Sequence, residues 1–470
     1  MQLSRRDFIG AGSLALAGCC APCAGRTYVS EPVEILRTAR LRNRGERLRM
    51  AFIGSGGRGG ANLDAFYSLG EEVVALCDVD LNRLRAAAQK VAPRCPKVRT
   101  YQDWRALLDK EKDLDAVVVS TPDHMHAACA IAAMKRGCHV YVEKPLVRTW
   151  WEAERFRDVA RACGVVTQMG NNGNGSDGQR RAIEILMSGV LGEIREIHVT
   201  TDRPIWPQGL NRPEGSDTVP PSLDWNLWLG VAPKRPFKKN VYHAFKWRGW
   251  HDFGTGAMGD MACHVMSFFW RGLDLRGVLS AETVKTTPRF AETYPAATTV
   301  RLVVRSAKQA APIPVYWYDG KTCPPPETCR RLTAGRLEAF GGTLVAGAKG
   351  VWWNGQIMLA GETTFTRHQD HPATREIPVT LPRVKSHHWE FAEAVRGGAR
   401  PFSDVDHSVP LTEAVLLGCI SQRVAGRLDW DAANGRFTNA EEANALLRPH
   451  VRPPCTRPTA CRPSIRSCSK

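Results

Sequence analysis

Short apolar runs alternate with amphipathic stretches from residue 49 onward. Arg49-Met50-Ala51-Phe52-Ile53 leads straight into Gly54-Ser55-Gly56-Gly57-Arg58-Gly59, and Ala61 to Leu69 then has helical spacing. A second apolar run, Val73 to Leu76, ends at Asp78, 24 residues after Gly54. Leu114 to Ser120 predicts a buried strand ending in Thr121-Pro122, and Ala127 to Lys135 predicts a helix. His139-Val140-Tyr141-Val142 predicts the next strand and runs into Glu143-Lys144-Pro145. This alternation predicts an α/β fold with a doubly wound parallel sheet, whose ligands sit at the carboxyl ends of the strands. Further on, Asp260-Met261-Ala262-Cys263-His264 places an acid and a histidine at i,i+4, on one face of a helix. His387 and His388 open another predicted helix, with Trp389, Phe391 and Ala394.

A glycine triplet alone is weak. Strand, glycine turn, helix, strand and terminal acid together point to a dinucleotide. Gly54 makes the tight turn, Gly56 lets backbone approach a pyrophosphate, and Gly59 allows close helix–strand packing. Gly57 and Arg58 complete the loop at the helix N-terminus, where unpaired N–H groups meet phosphates. Asp78 would accept hydrogen bonds from the adenosine ribose and repel a 2′-phosphate, which favours NAD over NADP. Arg58 argues the other way, because a guanidinium can accept that phosphate. Thr121, Pro122, Glu143 and Lys144 fall at strand ends and, with His126 of the stretch 120–126, are assigned to the cofactor.

Of 470 residues, 43% are hydrophobic and 24% charged, which excludes disorder and collagen and allows about three domains. No apolar run reaches the roughly 20 residues of a membrane span. The net charge of +17 suggests nucleic acid until it is located. Residues 1–49 contribute +5 and residues 448–470 contribute +6, leaving +6 for everything between. The expectation is therefore no nucleic-acid partner. Nine of the 15 cysteines lie in the body with no CxxC pair, so neither a zinc site nor a disulfide framework is expected. Cys77, Cys129, Cys138 and Cys163 sit in apolar surroundings as inert thiols, while Cys323 and Cys329 flank a Pro-rich loop and could pair.

The first residues, MQLSRRDFIGAGSLALAGCC, read as an export signal. Ser4-Arg5-Arg6-Asp7-Phe8 resembles a twin-arginine signal, which carries folded proteins across a membrane. Leu16-Ala17-Gly18-Cys19 resembles a lipoprotein cleavage box, which would put a lipid anchor on Cys19; an ordinary signal-peptidase cut is the alternative. The expected location is the periplasm or its membrane surface. The domain plan is signal and linker at 1–49, an NAD-binding domain at 50–170, a substrate and oligomerisation domain at 171–447, and a disordered basic tail at 448–470.

The chain resembles the Gfo/Idh/MocA oxidoreductases over about residues 50 to 447. The resemblance rests on GSGGRGG (54–60), CDVD (77–80), STPDHMH (120–126), YVEKPL (141–146), TQMG (167–170) and WHDFGTGAMGDMACH (250–264). It implies an N-terminal Rossmann domain plus a C-terminal α/β domain with a large open mixed sheet, and association into dimers or tetramers. It also implies that Lys144 lies beside the nicotinamide and that Asp260 and His264 complete a Lys-Asp-His group. Relatives often carry an Asp where this chain has Ser267.

Oxidising a secondary alcohol needs a base and a hydride acceptor. His264 is the first choice of base, with Lys144 hydrogen-bonding the same oxygen; Lys144 as the base is the alternative. Asp260 would orient and charge-balance His264. A metal would also suit an i,i+4 pair, but no third ligand is evident, so none is expected. Asn171 and Asn172 could bind substrate hydroxyls or merely form the turn in Asn171-Asn172-Gly173-Asn174-Gly175. The stretch from Trp225 to His251 is rich in aromatic and basic residues, suited to the faces and hydroxyl rim of a carbohydrate. Tyr242, His243 and Arg248 are the chosen substrate residues there, with plain packing as the alternative. His388 could also face the pocket. Outside the cytoplasm a dehydrogenase that releases NADH would stop, so export predicts a retained NAD and redox-neutral chemistry such as glycoside cleavage by transient oxidation. The rivals are an ordinary sugar or inositol dehydrogenase, and a non-catalytic sugar-binding protein that keeps its nucleotide.

Overall fold

The computed structural model describes residues 33–450 and 452; the expected leader with Arg5, Arg6 and Cys19, and most of the basic tail, lie outside the described residues. Six parallel strands, β1 (Arg49–Ile53), β2 (Glu72–Cys77), β3 (Arg99–Tyr101), β4 (Ala116–Val119), β5 (His139–Val142) and β6 (Thr167–Met169), form the first sheet. Their order is β3-β2-β1-β4-β5-β6. Every residue of β4 and β5 is buried, as uninterrupted apolar strands covered on both faces must be. Helices α1 (Arg58–Ser68), α2 (Leu81–Val91), α3 (Trp104–Lys110), α4 (Asp123–Lys135) and α5 (Trp150–Cys163) make the crossovers. The strand order reverses between β1 and β4, which opens a crevice at their carboxyl ends.

The glycine turn is sterically specified. Gly54 has φ +85°, and a Cβ there would lie 2.6 Å from Ser120 O. A Cβ on Gly59 would overlap the carbonyl of Gly54 itself. Gly59→Ala should therefore cost about 1–3 kcal/mol, the usual penalty of overpacking, read as a lower urea midpoint. An unchanged midpoint would show that the turn can yield.

The second sheet has ten strands in the order β14-β13-β12-β11-β7-β10-β9-β8-β15-β16. They are β7 (Ile194–Thr200), β8 (Leu275–Thr286), β9 (Thr298–Ser306), β10 (Ile313–Tyr318), β11 (Thr343–Gly347), β12 (Gly350–Trp353), β13 (Gln356–Leu359), β14 (Thr366–Arg367), β15 (Arg427–Asp431) and β16 (Arg436–Phe437). Only β7 and β10 pair in parallel, so the sheet is mixed. Helix α6 (Asp177–Met187) follows β6, and α7 (Trp225–Leu229) lies in the long connection after β7. The acid–histidine helix α8 (Gly256–Gly272) packs against α6 and against a late helix, Val405–Ser421.

The helix opened by His387 and His388 is α9 (His387–Val395), capped by Ser386; the late helix is α10 (Val405–Ser421). A cut at residue 170 separates the two sheets but not the packing. Phe391, Ala392 and Val395 of α9 share a core with Phe52 of β1, Phe66 of α1 and Tyr141 of β5. His388 stacks on Tyr141 and reaches Asn62 Oδ1 at 3.0 Å, so it is a packing residue and not a pocket residue. Residues ahead of β1 also dock: Arg42 Nε donates to Asp115 at 2.6 Å, and Arg40 O meets His139 Nε2 at 2.9 Å.

Cys323 and Cys329 are separate thiols, the first exposed and the second buried, so the anticipated pairing is not formed. Cys77, Cys129, Cys138 and Cys163 are buried, and burial pushes the Cys138 thiol up to about 12.

Candidate active site

A cavity of about 580 Å³ lies in the crevice and extends from Asp78 to His264. At one end, Gly54, Gly56, Gly57 and Arg58 line it at the start of α1. Asp78 Oδ2 accepts from the backbone of Ser55 at 2.9 Å and of Gly56 at 3.2 Å, while Oδ1 accepts from Asp80 N at 3.0 Å. The carboxylate thus braces the loop it faces. Thr121 Oγ1 is buried with no partner among the described residues. Bare glycine backbone, an acid at the end of β2 and an orphaned hydroxyl in one crevice fit a dinucleotide.

Arg58 lines the cavity with one guanidinium nitrogen already engaged. Its Nε donates to Glu143 Oε1 at 2.9 Å, and Asn62 Nδ2 donates to the same oxygen at 2.9 Å. The guanidinium over the loop is Arg83, whose tip any Cβ at Gly56 would strike. Nothing in the local pattern marked Arg83; only the return of α2 against the loop brings it there.

At the other end Lys144 Nζ donates to Asp260 Oδ1 at 2.8 Å and to Asp260 O at 2.9 Å. Arg248 Nε reaches the same Oδ1 at 3.2 Å. Burial raises the Asp260 carboxyl, but Lys144 and then Arg248 outweigh it and hold it below the usual range. Two of the three ammonium hydrogens are thereby used, and the third is free for a ligand oxygen.

His264 and Asp260 share a face of α8, yet Asp260 is not the histidine's partner. The two cations claim the carboxylate, and Asn171 takes the histidine: His264 Nδ1 lies 2.7 Å from Asn171 Oδ1. The amide is oriented by its other end, since Asn171 Nδ2 donates to Cys263 O at 2.6 Å. Nδ1 must then carry the hydrogen, and Nε2 keeps its lone pair. Burial, and next the charge of Lys144, lower the His264 pKa to about 4. The imidazole is neutral at pH 7, with an acceptor nitrogen available.

Several chosen residues lie elsewhere. Asn171 is fully buried and positions His264, leaving Asn172 to line the cavity. Tyr242, 1% exposed, is packed against Trp225, Trp250 and Phe253, and so is core rather than pocket. His243 reaches Asp80 at 3.3 Å, which puts it at the Asp78 end and not beside Lys144. His126 is buried, with Nδ1 2.8 Å from Pro145 O and Nε2 2.9 Å from Thr121 O; it ties two strand-end loops together without facing the cavity. Gly59 is likewise behind the loop. Ser267 is buried between Asn174 (2.9 Å) and His407 (2.8 Å) and cannot reach a ligand. Trp206 lies outside the aromatic stretch read from the sequence, and Phe245 and Trp247 lie within it but not among its chosen residues; all three line the cavity around Arg248, whose guanidinium lies 4.4 Å from the ring centres of Phe245 and Trp247.

Comparison with known proteins agrees with this fold. Residues 48–171 match the family described as "Oxidoreductase family, NAD-binding Rossmann fold", and residues 194–270 match its C-terminal alpha/beta domain. A glycosyl hydrolase family 109 protein of Shewanella pealeana is 30% identical over 214 residues, 41% of this chain and 45% of that protein. A levoglucosan dehydrogenase of Pseudarthrobacter phenanthrenivorans is 27% identical over 38% of either chain. These alignments thus span less than half the length of the curated relatives. Among solved structures, the WlbA dehydrogenase of Bordetella pertussis, in complex with NADH and UDP-GlcNAcA, superimposes with a TM-score of 0.56. It is 18% identical, over 84% of this chain and 99% of that one, a likeness of fold.

Proposed function

We propose that this chain, which belongs to the Gfo/Idh/MocA family of NAD-binding oxidoreductases, oxidises a secondary hydroxyl of a sugar, cyclitol or glycoside and keeps its NAD through the cycle. The observation that carries this reading is the convergence of Lys144, Asp260, Arg248 and a neutral His264 on the cavity that the glycine loop opens into. NAD, when bound, accepts a hydride and can return it. Gly54, Gly56, Gly57, Asp78 and Thr121 would hold it.

The chain's own residues do the proton work. Lys144 offers its free N–H to the reacting oxygen and stabilises negative charge as the proton leaves. His264 Nε2 takes that proton, because Nδ1 is committed to Asn171. Asp260 balances the ammonium and so keeps Lys144 in place. Trp206, Phe245 and Trp247 offer apolar faces to a sugar's C–H surface and exclude water.

The finer reading is redox-neutral. A ring ketone acidifies the neighbouring C–H, the glycosidic group leaves by elimination, water adds, and the ketone returns to an alcohol. The net reaction is hydrolysis. The likeness to a glycosyl hydrolase supports this mode, and the likeness to a levoglucosan dehydrogenase supports simple oxidation as the second reading. The twin-arginine pattern at Arg5-Arg6 belongs to the same proposal: a protein exported folded can carry its nucleotide with it.

The test is a nucleotide count on gel-filtered protein, followed by turnover of glycosides. About one NAD per chain is expected, with cleavage and no accumulating NADH. Empty protein that binds NAD reversibly, or steady release of NADH, would overturn the retained-cofactor reading.

A further inference from the structure

A second cavity, about 290 Å³, lies between the start of α5, the segment His251–Asp252, Tyr294, the C-terminal part of α10 and residues 445–450. Its wall is cationic. Arg148, Arg423 and Arg448 all line it. Arg148 donates Nη1 to His251 O at 2.8 Å, but its Nε is buried without a partner among the described residues. Among the described residues Arg423 has neither an ion pair nor a side-chain hydrogen bond, and burial, with the charge of Arg148, disfavours its protonated form against the opposing pull of Tyr294 and Asp252. Among the described residues the Arg448 guanidinium has no acidic partner and lies 5.9 Å from the centre of the Trp151 ring.

The carboxylate in the wall is Asp252, and Arg235 already claims it. Residues 448–470 carry five Arg and one Lys and no acidic side chain. The N-terminus of α5 is not part of the attraction, because Thr149 and Glu152 cap it. The nearby carboxylates are already engaged, Asp252 by Arg235 and Glu152 by the helix cap, and partly buried guanidiniums with so little counter-charge are costly; an oxyanion is the group that their planar fork matches. A further feature narrows the ligand. His251, 7% exposed, uses Nδ1 on Ala291 O at 3.2 Å and leaves Nε2 buried without a partner. With its pKa lowered by burial to about 3, that nitrogen is an acceptor and calls for a hydroxyl.

We propose that this cavity binds a small hydroxylated oxyanion, a sugar carrying a phosphate, sulfate or carboxylate group, held by Arg148 and Arg423 with a hydroxyl on His251. The site is separate from the first cavity but joined to it along the chain. Arg148 lies four residues beyond Lys144, and His251 nine before Asp260.

The test titrates full-length protein, saturated with NAD to fill the first cavity, with glucose 6-phosphate, glucuronate, inorganic sulfate and neutral glucose, followed by calorimetry. One or both sugar anions should bind saturably and at least about tenfold more tightly than sulfate. Arg423→Gln and Arg148→Gln should each weaken that binding about tenfold or more. Removing one of several like charges should not unfold the chain. Arg448→Gln, at an exposed position, provides a variant safe from that concern and should weaken binding in the same direction. Sulfate equal to the sugar anions would reduce the site to an inorganic anion only and overturn the proposal. Binding unchanged by all three substitutions, or none at all, would also overturn it.

Discussion

Lys144→Met is expected to lower kcat about 10²- to 10³-fold while leaving the bound nucleotide in place. The methionine keeps the length of the stem but removes the N–H offered to the reacting oxygen. It also strips Asp260 of its 2.8 Å partner, leaving Arg248 at 3.2 Å to hold a buried carboxylate. Arginine should not rescue, because a planar fork cannot reproduce two bonds to one aspartate and a third to substrate. Parallel nucleotide counts separate the outcomes. Activity within a few-fold of the parent would remove Lys144 from the chemistry, and loss of NAD would make its role structural. A sugar-binding protein without catalysis would instead show unchanged ligand affinity in this variant.

The second large effect concerns pH and a residue that touches no ligand. His264 must be unprotonated to act as a base, and its pKa lies near 4 rather than 6.5. The sign follows directly: activity should hold from neutral pH down to about 5 and fall below about 4, as the imidazole takes up a proton. Asn171→Asp puts a carboxylate against Nδ1, which favours the imidazolium and should move the acid limb of kcat/KM upward by about 1–2 units. Asn171→Leu removes the acceptor and frees the ring to take the other tautomer, so kcat should drop without a matching change in the limb. An acid limb that stays put in Asn171→Asp would show that His264 is not the group being titrated. A purely structural asparagine would lower stability in both variants and leave the pH profile of the remaining activity unmoved.

How much of this was legible beforehand depends on the range of the interaction concerned. The turn at Gly54 and the close approach at Gly59 are local steric demands, and they appear in the chain as glycines at fixed offsets after a strand. The strand ends at Thr121 and Lys144 were readable for the same reason, since buried parallel strands are apolar runs that stop where the chain emerges. The i,i+4 spacing of Asp260 and His264 was also correct as geometry. Their partnership was not, because sharing a helix face says nothing of what faces them.

That choice of partners belongs to the tertiary structure. Lys144 comes from 116 residues away to claim Asp260, and Asn171 from 93 residues away to claim His264. The same long-range packing turns His126 into a brace between two loops, folds Tyr242 into an aromatic core and seats Arg83 over the glycine loop. Periodicity and motif spacing report constraints between residues a few positions apart. Desolvation and hydrogen-bond pairing depend on which strand ends and helix faces converge, and only the folded chain brings those together.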